Sequence, residues 1–465
     1  MRRLIVAVVL LVGLPAGLGA AAPLDHGLSS PVEDSYYPAK GEPSVDALRY
    51  ALRLRWEPGK RMLHGQATVR LRAAQPATAI RLDLAHRLQV TRVHVDGRRT
   101  AFAHNANHLA IRKPLRRGQR HSVRVRYRGT PGPVTAPGSR GDARRVGLRI
   151  MGNNQLRTMQ EPFGAFTWYP VNDQPSDKAL YDVRLTAPKN WVGVSNGRLV
   201  ARKTSRRATV TRWTHGAPMA SYLTTLAVGP YRRYRDTGPH RLPVTYWVPR
   251  SRPRLVRSLH MVPAALRWLE RRLGRFPFDR IGVVVVPGPS AMETQTMITL
   301  GAEEYWAGLA RVRAVMVHEL AHQWYGDTVT PTDWRDLWMN EGMATYLHYR
   351  WVAAQADNPQ RRWRQIVGQW QRDDQFYRDA YGPPGRYKRQ EFASSNVYYP
   401  VALMWDRLRR RLGNRQFNQI VRAWPQTHRN SNATRDEMID WIEGRTGREL
   451  SAFFDSWLMS RRSPA

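Results

Sequence analysis

The sequence contains no cysteine, and only seven of its 74 basic residues are lysine. Without cysteine the chain cannot form a disulfide, a thiolate metal site, a thiol nucleophile or a cysteine-linked lipid anchor. Long apolar runs are also scarce, because none of comparable length follows the run over residues 4–14. We therefore expect a soluble mature protein without a transmembrane segment.

The N-terminus has the pattern of a secretory signal peptide. Arg2 and Arg3 precede the apolar run, which is too short to span a bilayer, and Ala20-Ala21-Ala22 supplies small residues for cleavage. We predict a signal peptide over residues 1–22, cleaved near Ala21-Ala22, with a retained membrane anchor as the alternative. Export without disulfides indicates a secreted or periplasmic bacterial protein.

Positive charge dominates the chain, which has a formal net charge of +38. Such a balance is typical of proteins that bind nucleic acid or an anionic envelope. However, arginine alternates with apolar residues over 123–128, as expected for the solvent-exposed face of a strand. We therefore predict non-specific attraction to anionic surfaces and no dedicated nucleic-acid site.

The first part of the chain has the pattern of a β domain. Residues 23–45 are rich in proline, glycine, serine and aspartate, which predicts a leader or linker. Over residues 46–240, short runs with a period of two recur between glycine and proline turns; one example is Tyr50-Ala51-Leu52-Arg53-Leu54. This alternation predicts an antiparallel β domain with one polar face.

Helical patterns dominate residues 241–465. Residues 253–273 are predicted to form a helix, and the continuous apolar run Ile281–Val286 predicts a buried strand. The sequence Thr434-Arg435-Asp436-Glu437 has the pattern of a capping box at the start of a later helix. With 465 residues, the chain is long enough for two or three domains.

Residues 318–322 read His-Glu-Leu-Ala-His, and Glu341 follows in a second helical segment. Histidines four apart on a helix project from one face, so His318 and His322 are positioned to bind one tetrahedral zinc ion. Glu341 is a candidate third ligand, which leaves the fourth position open for water. Glu319 lies one position round the helix, where it can act as a general base toward that water. These groups are the minimum for metal-assisted hydrolysis of a peptide bond.

The five-residue motif alone is moderately specific, because it also occurs on helices that carry two surface histidines. Here the flanking residues 314–317 are apolar and indicate a buried helix. Ionisable side chains on a buried helix are costly unless a metal or partners satisfy them. We expect Gly326 to stop this helix.

The extended motif, from residues 318–326 through Trp334 to residues 338–342, resembles the aminopeptidase N and leukotriene hydrolase family of zinc metallopeptidases, the gluzincins. The resemblance covers about residues 36–458. It implies an α+β multidomain fold with one zinc ion per chain. An N-terminal antiparallel β-sandwich, or saddle, domain would occupy residues 46–240, followed by a thermolysin-like, mainly helical peptidase domain over residues 241–465.

A second block, Ser290-Ala291-Met292-Glu293-Thr294, is similar to the loop whose glutamate holds the substrate's free amine in that family. The resemblance assigns this role to Glu293, while Ala291 and Met292 would contact substrate and Met292 would line the pocket for its first side chain. Ser290 and Thr294 differ from the residues of the family pattern. These differences affect the contacts that the loop would make with the substrate backbone.

A third block, residues 160–178, resembles the β-domain segment that reaches into the active site, and Glu161 aligns with the second amine-binding acid. Two carboxylates can hold a protonated amine through charge-assisted hydrogen bonds. They also disfavour a chain that continues past its N-terminus, because their charge would be left unpaired. The alternative for Glu161 is a surface acid before a turn proline.

A fourth block, residues 397–403, resembles the segment whose tyrosine hydroxyl stabilises the tetrahedral intermediate. The register from Ala402 selects Tyr398, but Pro400 and Val401 break the family pattern, so Tyr399 stays an alternative. Residues 453–458 resemble the end of the family's catalytic domain. This indicates a short form that lacks the C-terminal helical domain and has a more open cleft.

Together these patterns predict a zinc-dependent aminopeptidase that acts on peptides with a free N-terminus. Asn340 and Asp336 are possible partners of the metal ligands, with helix capping as the alternative. Three other interpretations stay open: an endopeptidase or epoxide hydrolase on the same zinc site, a secreted binding protein with a vestigial peptidase fold, and a basic nucleic-acid or envelope binder with structural zinc.

Overall fold

A computed structural model describes residues 27–141 and 143–464. The predicted signal peptide over residues 1–22 and its cleavage site lie outside the described residues. Within the described part of the chain, none of the helices is long and apolar enough to cross a membrane.

Strands make up most of the described chain up to Pro249, and helices predominate after it, with five further short strands among them. The strands are β1 Val45–Glu57, β2 Met62–Ala73, β3 Ile80–Asp83, β4 Leu88–Val95, β5 Arg98–Arg99, β6 Phe102–Asn105, β7 His108–Ile111, β8 Arg120–Gly129, β9 Val134–Thr135, β10 Arg145–Ile150, β11 Leu156–Met159, β12 Lys178–Pro188, β13 Val192–Ser195, β14 Arg198–Thr204, β15 Ala208–Ala220, β16 Leu226–Gly229, β17 Tyr231–Thr237, β18 Pro243–Pro249, β19 Ile281–Val286, β20 Ala291–Met292, β21 Ile298–Gly301, β22 Val329–Pro331 and β23 Ser431–Ala433. The α-helices are α1 Val256–Leu259, α2 Val262–Leu273, α3 Leu309–His322, α4 Trp338–Ala354, α5 Pro359–Tyr381, α6 Ser395–Leu412, α7 Asn414–Thr427, α8 Arg435–Thr446 and α9 Ser451–Leu458.

The N-terminal β region is built on an eight-stranded sheet with the order β14-β15-β12-β1-β2-β8-β4-β5, and a five-stranded sheet has the order β13-β16-β11-β10-β9. The period-two pattern sets the two faces of the larger sheet. Leu52 and Leu54 of β1 are buried, whereas Arg53 between them is exposed. The predicted α+β architecture is confirmed.

One pairing in the large sheet differs from the antiparallel prediction. Strands β1 and β12 are parallel, with Tyr50 opposite Tyr181 and Leu52 opposite Val183. A long connection separates these strands in the chain, and parallel neighbours require such a crossover. The alternation of apolar and polar residues therefore predicted which face of each strand is buried. It did not predict whether a neighbouring strand runs parallel or antiparallel.

A second five-stranded sheet, with the order β17-β18-β19-β21-β20, begins the C-terminal region. The predicted strand Ile281–Val286 is β19, which is buried along its whole length and pairs in parallel with β18 and β21. The predicted helix over residues 253–273 is interrupted at His260 and Met261, and α2 begins with Pro263 in its first turn. A proline there cannot donate the hydrogen bond that would continue α1.

Helices α3, α4 and α6 form the core of the C-terminal region. Gly342 of α4 allows a close approach to α6, since a Cβ atom there would lie 2.1 Å from a methyl carbon of Val401. The predicted capping box is present at α8, where the Thr434 hydroxyl and the Glu437 backbone and side chain bond reciprocally. The close contact between α4 and α6 fixes two of the helices that carry the candidate site.

The segment predicted as a leader or linker is bound to the C-terminal region over its described part. Asp34 is 1% exposed and its carboxylate accepts a 2.7 Å hydrogen bond from the Trp334 backbone. Ser35 bonds to Asp333 through both its backbone nitrogen and its hydroxyl. The boundary between residues 240 and 241 stays a prediction.

Candidate functional site

The three candidate metal ligands converge at one point. Helix α3 presents His318 and His322 on the same face, and their Nε2 atoms lie 3.0 Å apart. Glu341 Oε2, from α4, lies 3.0 Å from His318 Nε2 and 3.4 Å from His322 Nε2. Two ligand atoms bound to a tetrahedral zinc ion are roughly 3.4 Å apart. The donor set therefore fits three corners of one zinc site.

The His322 ring is oriented by a backbone carbonyl. Its Nδ1 lies 3.1 Å from the Tyr325 carbonyl oxygen, so Nδ1 donates and Nε2 is left to face the metal. Helix α3 ends at His322 and not at Gly326 as expected. Gly326 instead has a φ of 129°, a backbone conformation that favours glycine, and closes the turn that contains Tyr325.

Neighbouring charges set the protonation of the ligands. Burial alone would raise the pKa of Glu341, but the His322 charge and the hydrogen bond from His318 outweigh it and lower that pKa. Burial lowers the pKa of His318. Burial also acts to lower the pKa of His322, but the charges of Glu341 and Glu293 outweigh it and raise that pKa well above its ordinary value. Because a metal binds ionised glutamate and neutral histidine, metal binding would displace the proton from His322.

Glu319 lies beside the ligands and lines the same cleft, which has a volume of about 380 Å³. Its side chain is buried, and the residue is 6% exposed. Burial, followed by the charges of Glu293 and Glu341, raises the pKa of Glu319 well above its ordinary value. A carboxylate in these surroundings is a stronger base than one in water.

Glu161 and Glu293 meet in this cleft although they are far apart in the sequence. An Oε1 atom of each is buried and has no hydrogen-bond partner among the described residues. Burial, followed by the charges of Glu293 and Glu341, raises the pKa of Glu161 well above its ordinary value. Burial also raises the pKa of Glu293. Two carboxyl groups in one cleft, each with a buried oxygen that lacks a partner among the described residues, form a site for a cationic group.

Gln323, which the sequence analysis did not single out, links the loop that carries Glu293 to the end of α3, the helix that carries His318 and His322. Its side-chain Nε2 donates to the Glu293 carbonyl at 2.9 Å, and its Oε1 accepts from the Thr296 backbone at 2.9 Å. Gln323 follows His322 directly, so one amide positions Glu293 relative to the ligands. The signal in the sequence that could have identified Gln323 is its position immediately after the motif of residues 318–322.

Tyr398 and Tyr399 both line the cleft, in the first turn of α6. The Tyr398 ring stacks over His318 with centroids 6.1 Å apart. The Tyr399 ring instead contacts Tyr349 and Tyr377. The arrangement brings Tyr398 to the metal ligands, in agreement with the register from Ala402.

Arg140 reaches the cleft from the loop between β9 and β10, and its Nη1 donates to the Tyr398 hydroxyl at 3.0 Å. The neighbouring Phe392 backbone donates to the Pro137 carbonyl at 3.0 Å, which holds this loop against the C-terminal region. Burial raises the pKa of Tyr398 well above its ordinary value, and the positive charge of Arg140 opposes that rise. No sequence motif pointed to Arg140.

Four other residues were predicted to belong to the site: Ala291, Met292, Asp336 and Asn340. Ala291 lines the cleft, whereas Met292 lines an adjoining smaller cavity. Asp336 accepts from the Trp338 indole and from the Arg435 backbone. Asn340 donates to the Tyr222 hydroxyl at 3.5 Å. These bonds direct Asp336 and Asn340 to groups other than the three ligands.

Two sequence models of one family match the chain. The peptidase family M1 domain matches residues 257–457, and the peptidase M1 N-terminal domain matches residues 46–223. Aminopeptidase M1 of Arabidopsis thaliana is 24% identical over 330 residues, which are 67% of this chain and 37% of that protein. Glutamyl aminopeptidase of Homo sapiens is 29% identical over 208 residues, 42% of this chain and 22% of that protein. The chain thus spans less than two-fifths of the length of these relatives.

Solved structures match almost the whole chain. An M1 zinc metallopeptidase from Deinococcus radiodurans superposes with a TM-score of 0.82 at 26% identity, covering 94% of this chain and 98% of that one. A mutant two-domain M1 zinc metallopeptidase bound to L-tryptophan superposes with a TM-score of 0.81 at 26% identity, covering 94% and 99%. A mutant from Deinococcus radiodurans bound to a Tyr-Ser-Ala substrate gives 0.82 at 25% identity, covering 94% and 99%.

Proposed function

The chain belongs to peptidase family M1, a family of zinc metallopeptidases, and from this membership we propose that it is an aminopeptidase that removes single N-terminal residues from peptides. One observation carries the proposal. A three-ligand metal centre and two buried carboxylate oxygens without partners among the described residues share one cleft. The first fits hydrolysis and the second fits recognition of a free amine.

The metal site would be held by His318, His322 and Glu341. When bound there, zinc would supply Lewis-acid activation of water and of the scissile carbonyl. Glu319 takes a proton from the attacking water and later delivers it to the leaving amine. The Tyr398 hydroxyl donates to the oxygen that gains negative charge as the carbonyl becomes tetrahedral.

Amine recognition decides which bond is cut. Glu161 and Glu293 hold the α-ammonium group, because it supplies the donors that their buried oxygens lack. An internal segment of a polypeptide has no charge at that position and would leave both carboxylates unsatisfied. This argument favours an aminopeptidase over an endopeptidase or an epoxide hydrolase.

Hydrolysis of aminoacyl chromogenic amides by the purified protein tests the proposal. Each amide is supplied with a free or an acetylated N-terminus, with and without a zinc chelator. We expect chelator-sensitive cleavage of the free-amine substrates alone. Equal cleavage of acetylated substrates would indicate an endopeptidase, and no cleavage with zinc bound would indicate a binding protein with a vestigial site.

We also propose that the chain is exported, on the basis of the N-terminal pattern in the sequence. The exposed arginines would then attract it weakly to anionic envelope surfaces. Mass spectrometry of the mature N-terminus is the measurement, and a protein that begins before residue 20 would contradict cleavage near Ala21-Ala22.

A further inference from the structure

A small cavity adjoins the cleft on the side of the amine-binding acids. It has a volume of about 60 Å³, and four arginines line it: Arg140, Arg145, Arg149 and Arg157. It shares Glu161 and Ala291 with the cleft, but none of the three metal ligands lines it. We call it the arginine cavity.

Arg157 is the most deeply buried arginine of this cavity. It is 1% exposed, and its Nε atom has no hydrogen-bond partner among the described residues. Its Nη1 makes one long hydrogen bond, 3.4 Å, to the Pro289 carbonyl. A Cβ atom at Gly288 would lie 2.7 Å from Nη2, so this glycine leaves the space that the guanidinium occupies.

Arg149 lies directly opposite Arg157 in the pairing of β10 with β11. Like charges at directly opposed positions destabilise a sheet, and a buried charge without a partner is costly. Burial, followed by the charge of Arg149, lowers the pKa of Arg157 to about 10, while Glu303 acts in the opposite direction. An anion bound between the two guanidinium groups would offset their repulsion and could accept from the Arg157 Nε atom, which lacks a partner among the described residues.

The position of the cavity identifies the anion. Glu161 and Ala291 line both the cleft and the arginine cavity, whereas the three metal ligands line the cleft alone. A peptide whose amine is held by Glu161 and Glu293, and whose scissile carbonyl points to the metal ligands, would therefore direct its first side chain to the arginine cavity. A side chain that enters the cavity meets the guanidinium groups of Arg149 and Arg157, which are suited to bind a carboxylate.

We propose that Arg149 and Arg157 bind the side-chain carboxylate of an N-terminal glutamate or aspartate, so that the enzyme prefers acidic first residues. This inference rests on the proposed aminopeptidase function. The recognised group is zwitterionic: the two acids hold its ammonium group and the two arginines hold its carboxylate. A glutamine of nearly the same shape lacks that charge and is the matched competitor.

The first test compares kcat/KM for amides of glutamate, aspartate, glutamine, leucine and lysine. We expect the glutamate amide to exceed the glutamine amide by roughly ten- to hundredfold, as for one charge-assisted hydrogen bond made or lost. A glutamine, leucine or lysine amide hydrolysed as well as the glutamate amide would overturn the arginine cavity as an acid pocket. Absence of cleavage across all free-amine amides would instead contradict the proposed function.

Binding supplies a readout that is independent of turnover. The thermal shift produced by free L-glutamate should exceed that of L-glutamine at equal concentration in the zinc-loaded wild-type protein. Equal shifts would count against the proposal, whether or not amides are cleaved.

Variants assign the selectivity to the two arginines. Arg149→Gln should reduce the glutamate-to-glutamine ratio toward one, and Arg157→Lys, which keeps the charge, should retain part of it. Arg124→Gln, on the exposed face of β8, is the matched control and should leave the ratio unchanged. Because Arg149 is only partly buried, its variant remains informative if Arg157 variants fail to fold. An unchanged ratio in Arg149→Gln would overturn the assignment.

Discussion

Arg140 donates a 3.0 Å hydrogen bond to the hydroxyl oxygen of Tyr398, two residues separated by 258 positions in the sequence. The hydroxyl oxygen accepts from the guanidinium, so its own proton is free to point elsewhere, toward a bound substrate. The N-terminal β region therefore takes part in a site whose metal ligands all belong to the C-terminal region.

We expect Arg140→Gln to reduce kcat by about tenfold, because the hydroxyl loses one charge-assisted bond that orients it. Arg140→Lys should recover part of that loss. Zinc content, measured by plasma mass spectrometry, should stay at one per chain in both variants. A kcat unchanged in Arg140→Gln would show that Arg140 does not position Tyr398.

The choice between Tyr398 and Tyr399 as oxyanion donor can be made with two matched variants. Tyr398→Phe should lower kcat by roughly 10²-fold or more, the effect of removing one oxyanion donor. Tyr399→Phe, which removes the adjacent hydroxyl on the same helix turn, should change kcat far less. The reverse order would transfer the role to Tyr399.

Glu319→Gln should abolish proton transfer while leaving the metal in place. We expect a loss in kcat of roughly 10²- to 10⁴-fold, the range for a general base. His322→Ala is the contrasting variant, since it should lose zinc as well as activity. Near-wild-type turnover in Glu319→Gln with zinc bound would exclude Glu319 as the base.

Replacement of the amine-binding acids should alter binding more than metal content. Glu293→Gln and Glu161→Gln should each raise KM for free-amine amides. Each should also reduce the ratio of kcat/KM for free-amine amides to kcat/KM for acetylated amides. The two changes should be non-additive in the double variant, because both carboxylates bind one group. If acetylated substrates stay excluded in the double variant, another feature selects the N-terminus.

Stability should fall on acidification through protonation of His215. This buried residue accepts from the Ala217 backbone through Nδ1, and burial lowers its pKa to about 4. Between pH 6.5 and about 4 the unfolded chain therefore binds a proton that the folded chain does not. Protonation of His215 therefore leaves the free energy of unfolding unchanged above pH 6.5 and lowers it by up to about 3 kcal/mol as the pH falls toward 4.

Urea denaturation of the wild type and His215→Gln at pH 7 and pH 4.5 measures this effect. Asp34 and Asp173, whose pKa values burial raises to about 6, titrate in the opposite direction, but they are common to both proteins and cancel in the comparison. The wild type should lose more stability than the variant. Parallel losses would show that His215 is protonated without cost in the folded protein.

Local patterns in the sequence predicted what depends on neighbouring residues. The spacing of His318 and His322 on one helix face, the apolar run of β19 and the capping box at Thr434 each require only a few adjacent positions. The resemblance added Glu161, which no local periodicity could have placed beside Glu293.

Long-range relationships could not be predicted in the same way. Arg140 acts from a loop without a motif, and the opposition of Arg149 and Arg157 depends on strand register. Arginine is also so frequent in this chain that composition alone does not indicate which few arginines are buried. Parallel pairing of β1 with β12 has no signal in either strand alone.

The two hydrogen bonds of Gln323 fix more than a loop. They join the carbonyl of Glu293 and the backbone of Thr296 to the residue next to a metal ligand. The backbone of Glu293, whose carboxylate would bind the substrate amine, is therefore held at a fixed distance from the metal ligand His322. In the proposed aminopeptidase, this fixed separation would measure off one residue from the N-terminus, so a peptide would be shortened by one residue at a time, whatever the length of the remaining chain.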